Sequence, residues 1–326
     1  MRVRTTGICV SGPDDRRRGQ ATCAHKALPL VLLGCAMFGT GAAAQTDEAP
    51  STDPYRFFTR FDPNSSARKS NPEPGGYVRV ADSVVSGFGI WMRNFPMRSP
   101  DEPLIDYSGS FLAAPNVIGG ALDLSTPAPA QNARGVLYRL MVEYSRVDER
   151  ELDVIFPGIG EDSVSLYRFL TGKYSTSHGG RELYWRAGEE TEISDQSLFR
   201  FSLFAMSVTS YHSLIRDCRE VTEGEALPGD VFIQSDSSSR PEAHLSIVLD
   251  IAVRDTSQPT NLALRDGSAP ERLFLFANSL TPATNFHIIR PIKAGKGNWF
   301  YPAELQGKLK GMGPGRFFRL PYEFLW

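Results

Sequence analysis

From Gly229 to Pro291, four β-rich runs follow one another: GDVFIQ, AHLSIVLDIAV, ERLFLFANS and NFHIIRP, separated by polar loops. Val, Ile, Phe and Leu dominate each run, a composition suited to a pleated, packed surface. Helical spacing lies upstream. ARGVLYRLMVEYSRV places apolar residues at 136, 137, 140, 141 and 144, which follows the helical period. SDQSLFRFSLFAMSVTSYHSLIRDCREV repeats aromatic and aliphatic residues every three or four positions behind Ser194, a natural N-cap, and predicts a long helix or helix pair. A short strand is expected at Ala121 to Leu124 and a second short element at SLYRFLTGK. Helices followed by neighbouring strands give an α+β class rather than a doubly wound parallel sheet.

The N-terminal residues 1–44 are set apart from the fold. Arg2, Arg4, Arg16, Arg17, Arg18 and Lys26 precede a short apolar core, ALPLVLLGCAMFG, and TGAAA offers a cleavage site after Ala44. The apolar core is too short to span a bilayer, and the pattern is that of a secretory signal peptide. The rival reading, a lipobox at LLGC with lipid anchoring through Cys35, is weakened by the good cleavage site nine residues on. Residues 45–81, rich in Pro, Ser, Asp and Asn, read as a flexible linker. Residues 82–326 read as one globular domain, and an exported protein, periplasmic or secreted, is expected.

Charge and cysteine content exclude several classes. The formal net charge of the 326 residues is −2. Without residues 1–44, 29 Lys+Arg face 35 Asp+Glu, a charge of −6. No basic surface for nucleic acid is expected. Only Cys218 remains after the leader, so no internal disulfide is available to the exported domain. No apolar run downstream approaches a transmembrane length. No His pair has the spacing of H-E-x-x-H and no Cys pair that of C-x-x-C, so neither a metal nor another cofactor is expected.

The order of a Pro228-Gly229-Asp230 turn, a strand, a polar loop, His244 opening the next strand and Asn278 closing a third resembles papain-like cell-wall amidases and endopeptidases of the NlpC and CHAP type. The resemblance covers about residues 194–290. It implies a core of a helix packed on an antiparallel sheet, here with an N-terminal α/β extension. It also implies His244 as general base and Asn278 as its orienter. Such a site needs a nucleophile at a helix N-terminus beside the imidazole. Where the resemblance would place the Cys, the sequence has Gln196. Ser213 is the replacement candidate, with Ser197 behind it. Cys218, near a helix C-terminus, has the wrong dipole environment for a thiolate.

A longer resemblance, over about residues 85–326, rests on GFGIWMRNFPM, GALDLS, LPGDVFI with HLSIVLDIA, LFANSLTPATNFHIIRP and NWFYPAEL with FFRLPYEFLW. These runs, in this order, resemble the bacterial family called domain of unknown function 4846. The resemblance implies an envelope location and a fold, not a reaction. Two departures fall where a ligand would sit: SDSSSRPEAH replaces a Gly-rich loop, and Asn278 stands where Gln is usual.

Aromatic rings can stack on sugars or clamp peptides. Trp185, Trp299 and Tyr301, with Gln196 and His212, are therefore the candidate ligand-binding residues. His287 is expected to be half-exposed on a strand. Two readings stay open. One is a protein that binds a peptidoglycan fragment or another envelope partner, its catalytic Cys lost. The other is a hydrolase of peptidoglycan amide or acyl groups that uses His244.

Overall fold

The computed structural model describes residues 65–99, 103–112, 118–122, 124, 128–147, 149–159, 162–177, 182–235, 243–257, 271–291, 296–308 and 313–321. Residues 1–64, which include Cys35 and the expected leader, and most of the SDSSSRPEA loop lie outside them.

Seven α-helices run through the described residues: α1 Ala67–Ser70, α2 Gly87–Arg93, α3 Ala133–Ser145, α4 Leu166–Thr171, α5 Asp195–Val208, α6 Tyr211–Asp217 and α7 Pro302–Lys308. The strands are β1 Tyr77–Arg79, β2 Ile118–Ala121, β3 Ile155–Pro157, β4 Ser163–Ser165, β5 Gly172–Thr176, β6 Leu183–Ala187, β7 Arg219–Val221, β8 Val231–Ser235, β9 Ala243–Arg254, β10 Arg272–Asn278, β11 His287–Ile289 and β12 Arg316–Arg319. An antiparallel sheet of order β2-β11-β10-β9-β8-β12-β7 dominates, and β1 pairs with the far end of β9. Two hairpins, β3–β4 and β5–β6, stand apart from it. The class is α+β, with several helices and antiparallel sheets.

The twelve residues of β9 form the spine, and both faces of that strand are buried. Leu245, Ile247 and Leu249 point into a core built with Phe88 and Trp91 of α2, Val136 and Leu140 of α3 and Phe201 of α5. Val248 points the other way, into an aromatic cluster of Phe232, Phe274, Phe276, Phe300 and Phe317. Leu275 pairs with Asp250 but Phe276 pairs with Val248, so Leu249 is the extra residue of a β-bulge. A bulge shifts the alternation by one residue. Ile251 accordingly joins the aromatic side and Ala252 the helix side, and Asp250 is aimed at the helices.

Three sequence expectations are corrected here. Residues 65–81 are not a tether. Ala67 is fully buried, β1 lies on β9, and Arg79 reaches the buried Asp250. Composition hides this because the anchoring contacts lie far along the chain. The strand expected at 121–124 is Ile118–Ala121, since Leu122 leaves the ladder to bridge Met97. Of the long helix or helix pair expected from Ser194, the pair forms, broken at Thr209 with Ser210 capping the second helix. Only the tail departs: Cys218 ends α6 and Arg219–Val221 becomes β7.

Candidate functional site

Strand alternation assembles the site. On β8 to β11, Ile233, Leu245, Ile247, Ala277 and Ile288 face the helices. Their neighbours Gln234, His244, Ser246, Asn278 and His287 therefore share the opposite face. The ladder sets Gln234 against His244 and Asn278 against His287. This polar strip lies beside the aromatic cluster, because Ser246 pairs with Phe232. Four of the five side chains are buried: Gln234 and Ser246 are 0% exposed, Asn278 and His287 2%.

The strip carries no net charge at neutral pH. Burial lowers the His244 pKa to about 4. Burial also lowers that of His287 to about 4, against the Asn285 carbonyl, which accepts from Nδ1 at 2.8 Å. Asn278 Nδ2 donates to His244 Nε2 at 2.8 Å. The bond engages Nε2 and leaves Nδ1 as the ring nitrogen without a hydrogen-bond partner among the described residues.

Several polar atoms of the strip are buried without a partner: Gln234 Nε2 and Oε1, Ser246 Oγ and Asn278 Oδ1. Such a group costs about 1–3 kcal/mol when left unsatisfied. Four on one sheet face, offering both donors and acceptors, form a buried cluster with unused hydrogen-bonding capacity. Among the described residues no group of three or more His, Cys, Asp or Glu is placed to hold a metal ion.

Residues 68–312 match the family model described as Domain of unknown function (4846). The chain belongs to the DUF4846 family. The match begins inside α1, in keeping with a folded domain that starts before residue 82. No curated protein and no solved structure matches the chain.

The remaining candidates of the DUF4846 domain are not brought to the strip. Ser213 Oγ accepts from Ser210 N at 2.8 Å and donates to Ser210 O at 2.9 Å, closing the capping box of α6. Ser197 does the same for α5, accepting from Ser194 N at 2.8 Å. Both helices belong to the core on the far side of the sheet from His244. Gln196 and His212 are exposed on those helices. Cys218 is the C-cap of α6, and burial, with Asp217 and Asp230 nearby, pushes its pKa up to about 12.

The aromatic candidates scatter as well. Trp299 is 2% exposed in the helix-side core, where its Nε1 donates to Pro72 O at 2.9 Å and Arg79 covers its ring. That burial removes it as a ligand platform. Tyr301 is half-buried, held by Lys296 Nζ at 2.6 Å and the Tyr77 hydroxyl at 3.3 Å. Trp185 is 37% exposed on the β5–β6 hairpin, its Nε1 bound to Arg168 O at 2.7 Å. His287, expected to be half-exposed, is buried because both faces of β11 are covered.

Two features escaped the sequence reading. Gln234 and Ser246 are single polar residues inside apolar runs, and only the shared face reveals them. The second feature is a buried ion network. Arg93 Nη2 meets Asp250 Oδ1 at 2.7 Å, and Arg79 Nη1 binds the other carboxylate oxygen. Burial pushes the Asp250 carboxyl up, and both guanidiniums oppose that shift.

The Pro228-Gly229-Asp230 turn is structural. Gly229 has φ +93°, and a Cβ there would come within 3.2 Å of Gly89 and Phe88. Asp230 accepts from Leu227 N at 2.7 Å and takes Arg319 in a bidentate pair, both contacts at 2.9 Å.

Proposed function

We propose that this DUF4846 protein is an exported cell-envelope protein that binds, without cleaving, an uncharged polar ligand along the β8–β11 strip. The sugar or amide part of a peptidoglycan fragment is the ligand that fits. The leader sequence supports export. Neutral imidazoles and orphaned amide and hydroxyl groups support an uncharged ligand, because a buried charge here would have no counter-charge. The chain order of Asp230, His244 and Asn278 supports a papain-like ancestry, while the helix that carries Gln196 packs on the other face of the sheet from His244. The observation that carries binding over hydrolysis is that, among the described residues, no hydroxyl or thiol bonds to the His244 ring, whose Nε2 is held by Asn278 at 2.8 Å.

The test is to titrate the purified protein with a disaccharide-peptide muropeptide, following binding by calorimetry and turnover by chromatography. Saturable binding without product, weakened at least tenfold in His244→Ala, is the expected result. Product formation that disappears in His244→Ala would restore the hydrolase reading.

A further inference from the structure

The Leu227–Asp230 turn also forms part of a cavity wall. A cavity of about 570 Å³ opens between the segment leading into α2, the turn itself and the end of β12. Small-molecule pockets fall at roughly 300–1,000 Å³. Val84, Val85, Leu227, Pro228, Leu320 and Pro321 give it aliphatic walls. Val84 is 58% exposed, an apolar side chain spent on solvent.

Two carboxylates, Asp217 and Asp230, and two guanidiniums, Arg219 and Arg319, stand on the wall. Asp230 is fully engaged by Arg319 and Leu227 N. Asp217 is paired with Arg216 at 2.7 Å. Arg219 lies directly opposite Arg319 in the β7–β12 ladder, an arrangement of like charges that destabilises a strand pair. Asp230 neutralises Arg319. Among the described residues no carboxylate forms an ion pair with Arg219, and its guanidinium makes no side-chain hydrogen bond. The cavity thus joins an apolar body to one guanidinium with no close ion pair among the described residues, its charge felt only at longer range by Glu225 and Asp230.

We propose that this cavity binds an amphipathic monocarboxylate, with its hydrocarbon part between Val84 and Leu320 and its carboxylate on Arg219. The site is separate from the β8–β11 strip and stands or falls without it. Octanoate is the probe, with octanol and octylamine as controls, titrated into the purified protein at pH 7 by calorimetry. Octanoate binds saturably, at least tenfold more tightly than octanol or octylamine. Arg219→Gln, an exposed change checked for folding by circular dichroism, weakens octanoate at least tenfold and leaves octanol unchanged. Val84→Asn, which removes apolar contact without adding charge, weakens octanoate and octanol alike. Equal binding of octanol and octanoate, an Arg219→Gln variant with wild-type octanoate affinity, or no saturable octanoate binding would each overturn the assignment.

Discussion

Asn278 donates its side-chain amide to His244 Nε2 across the β9–β10 pair, at 2.8 Å. The contact fixes the ring and leaves Nδ1 as the nitrogen that can exchange a hydrogen bond or a proton. The second polar atom of the Asn278 amide is buried without a partner, so the pair presents two unused polar atoms to whatever the strip holds.

Protonation of the strip is linked to stability. Both histidines have folded pKa values of about 4, below the ordinary 6.5. The unfolded chain therefore binds more protons between pH 6.5 and 4. Stability is full above that window and is lost as pH falls through it, at up to about 1.4 kcal/mol per pH unit for each histidine. Urea unfolding at pH 7 and pH 5 measures this. His287→Asn is expected to remove about half of the extra pH slope, and an unchanged slope would refute burial as the cause.

Ser213→Ala and Ser197→Ala each remove one half of a capping box. Each is expected to cost about 1 kcal/mol of stability, read by urea unfolding. Muropeptide affinity should stay within twofold of wild type. Either serine would abolish function outright if it were a nucleophile, so a folded Ser213→Ala protein with lost activity would reverse the assignment.

The strands were legible because each run concentrates Val, Ile, Leu and Phe. The closeness of His244 and Asn278 was legible from chain order. Which way His244 points was not. Leu245 and Ile247 serve one core and Val248 the other, so β9 is apolar on both faces and shows no alternation to read. Residues 65–81 were opaque for a different reason. The partner of Arg79 is Asp250, 171 positions away, and nothing local in a Pro-rich stretch announces it.

Asp250 holds two buried guanidiniums, and its loss would leave Arg93 with only Asp82 and Arg79 with only Glu73, both at the more exposed edge of the network. Removing one partner of a buried pair costs about 3–5 kcal/mol. Asp250→Ala is therefore expected to lower the urea midpoint more than any of the capping-serine changes. It should also loosen residues 65–81, measurable as faster amide exchange in β1. A wild-type midpoint would mean that the network contributes no net stability.

Gln234 separates stability from binding most directly. Its side chain is fully buried, and neither amide atom has a partner. A group in that state destabilises the ligand-free protein, and replacement by an apolar residue of similar size removes the penalty. Gln234→Leu is expected to stabilise the ligand-free protein by about 1–3 kcal/mol, read as a higher urea midpoint. The same change removes a donor and an acceptor from the strip, so muropeptide affinity should fall at least tenfold. A binding site kept at the expense of stability predicts both effects in one variant. A purely structural Gln234 predicts neither, because a side chain that served the fold would cost stability when replaced and leave the ligand indifferent.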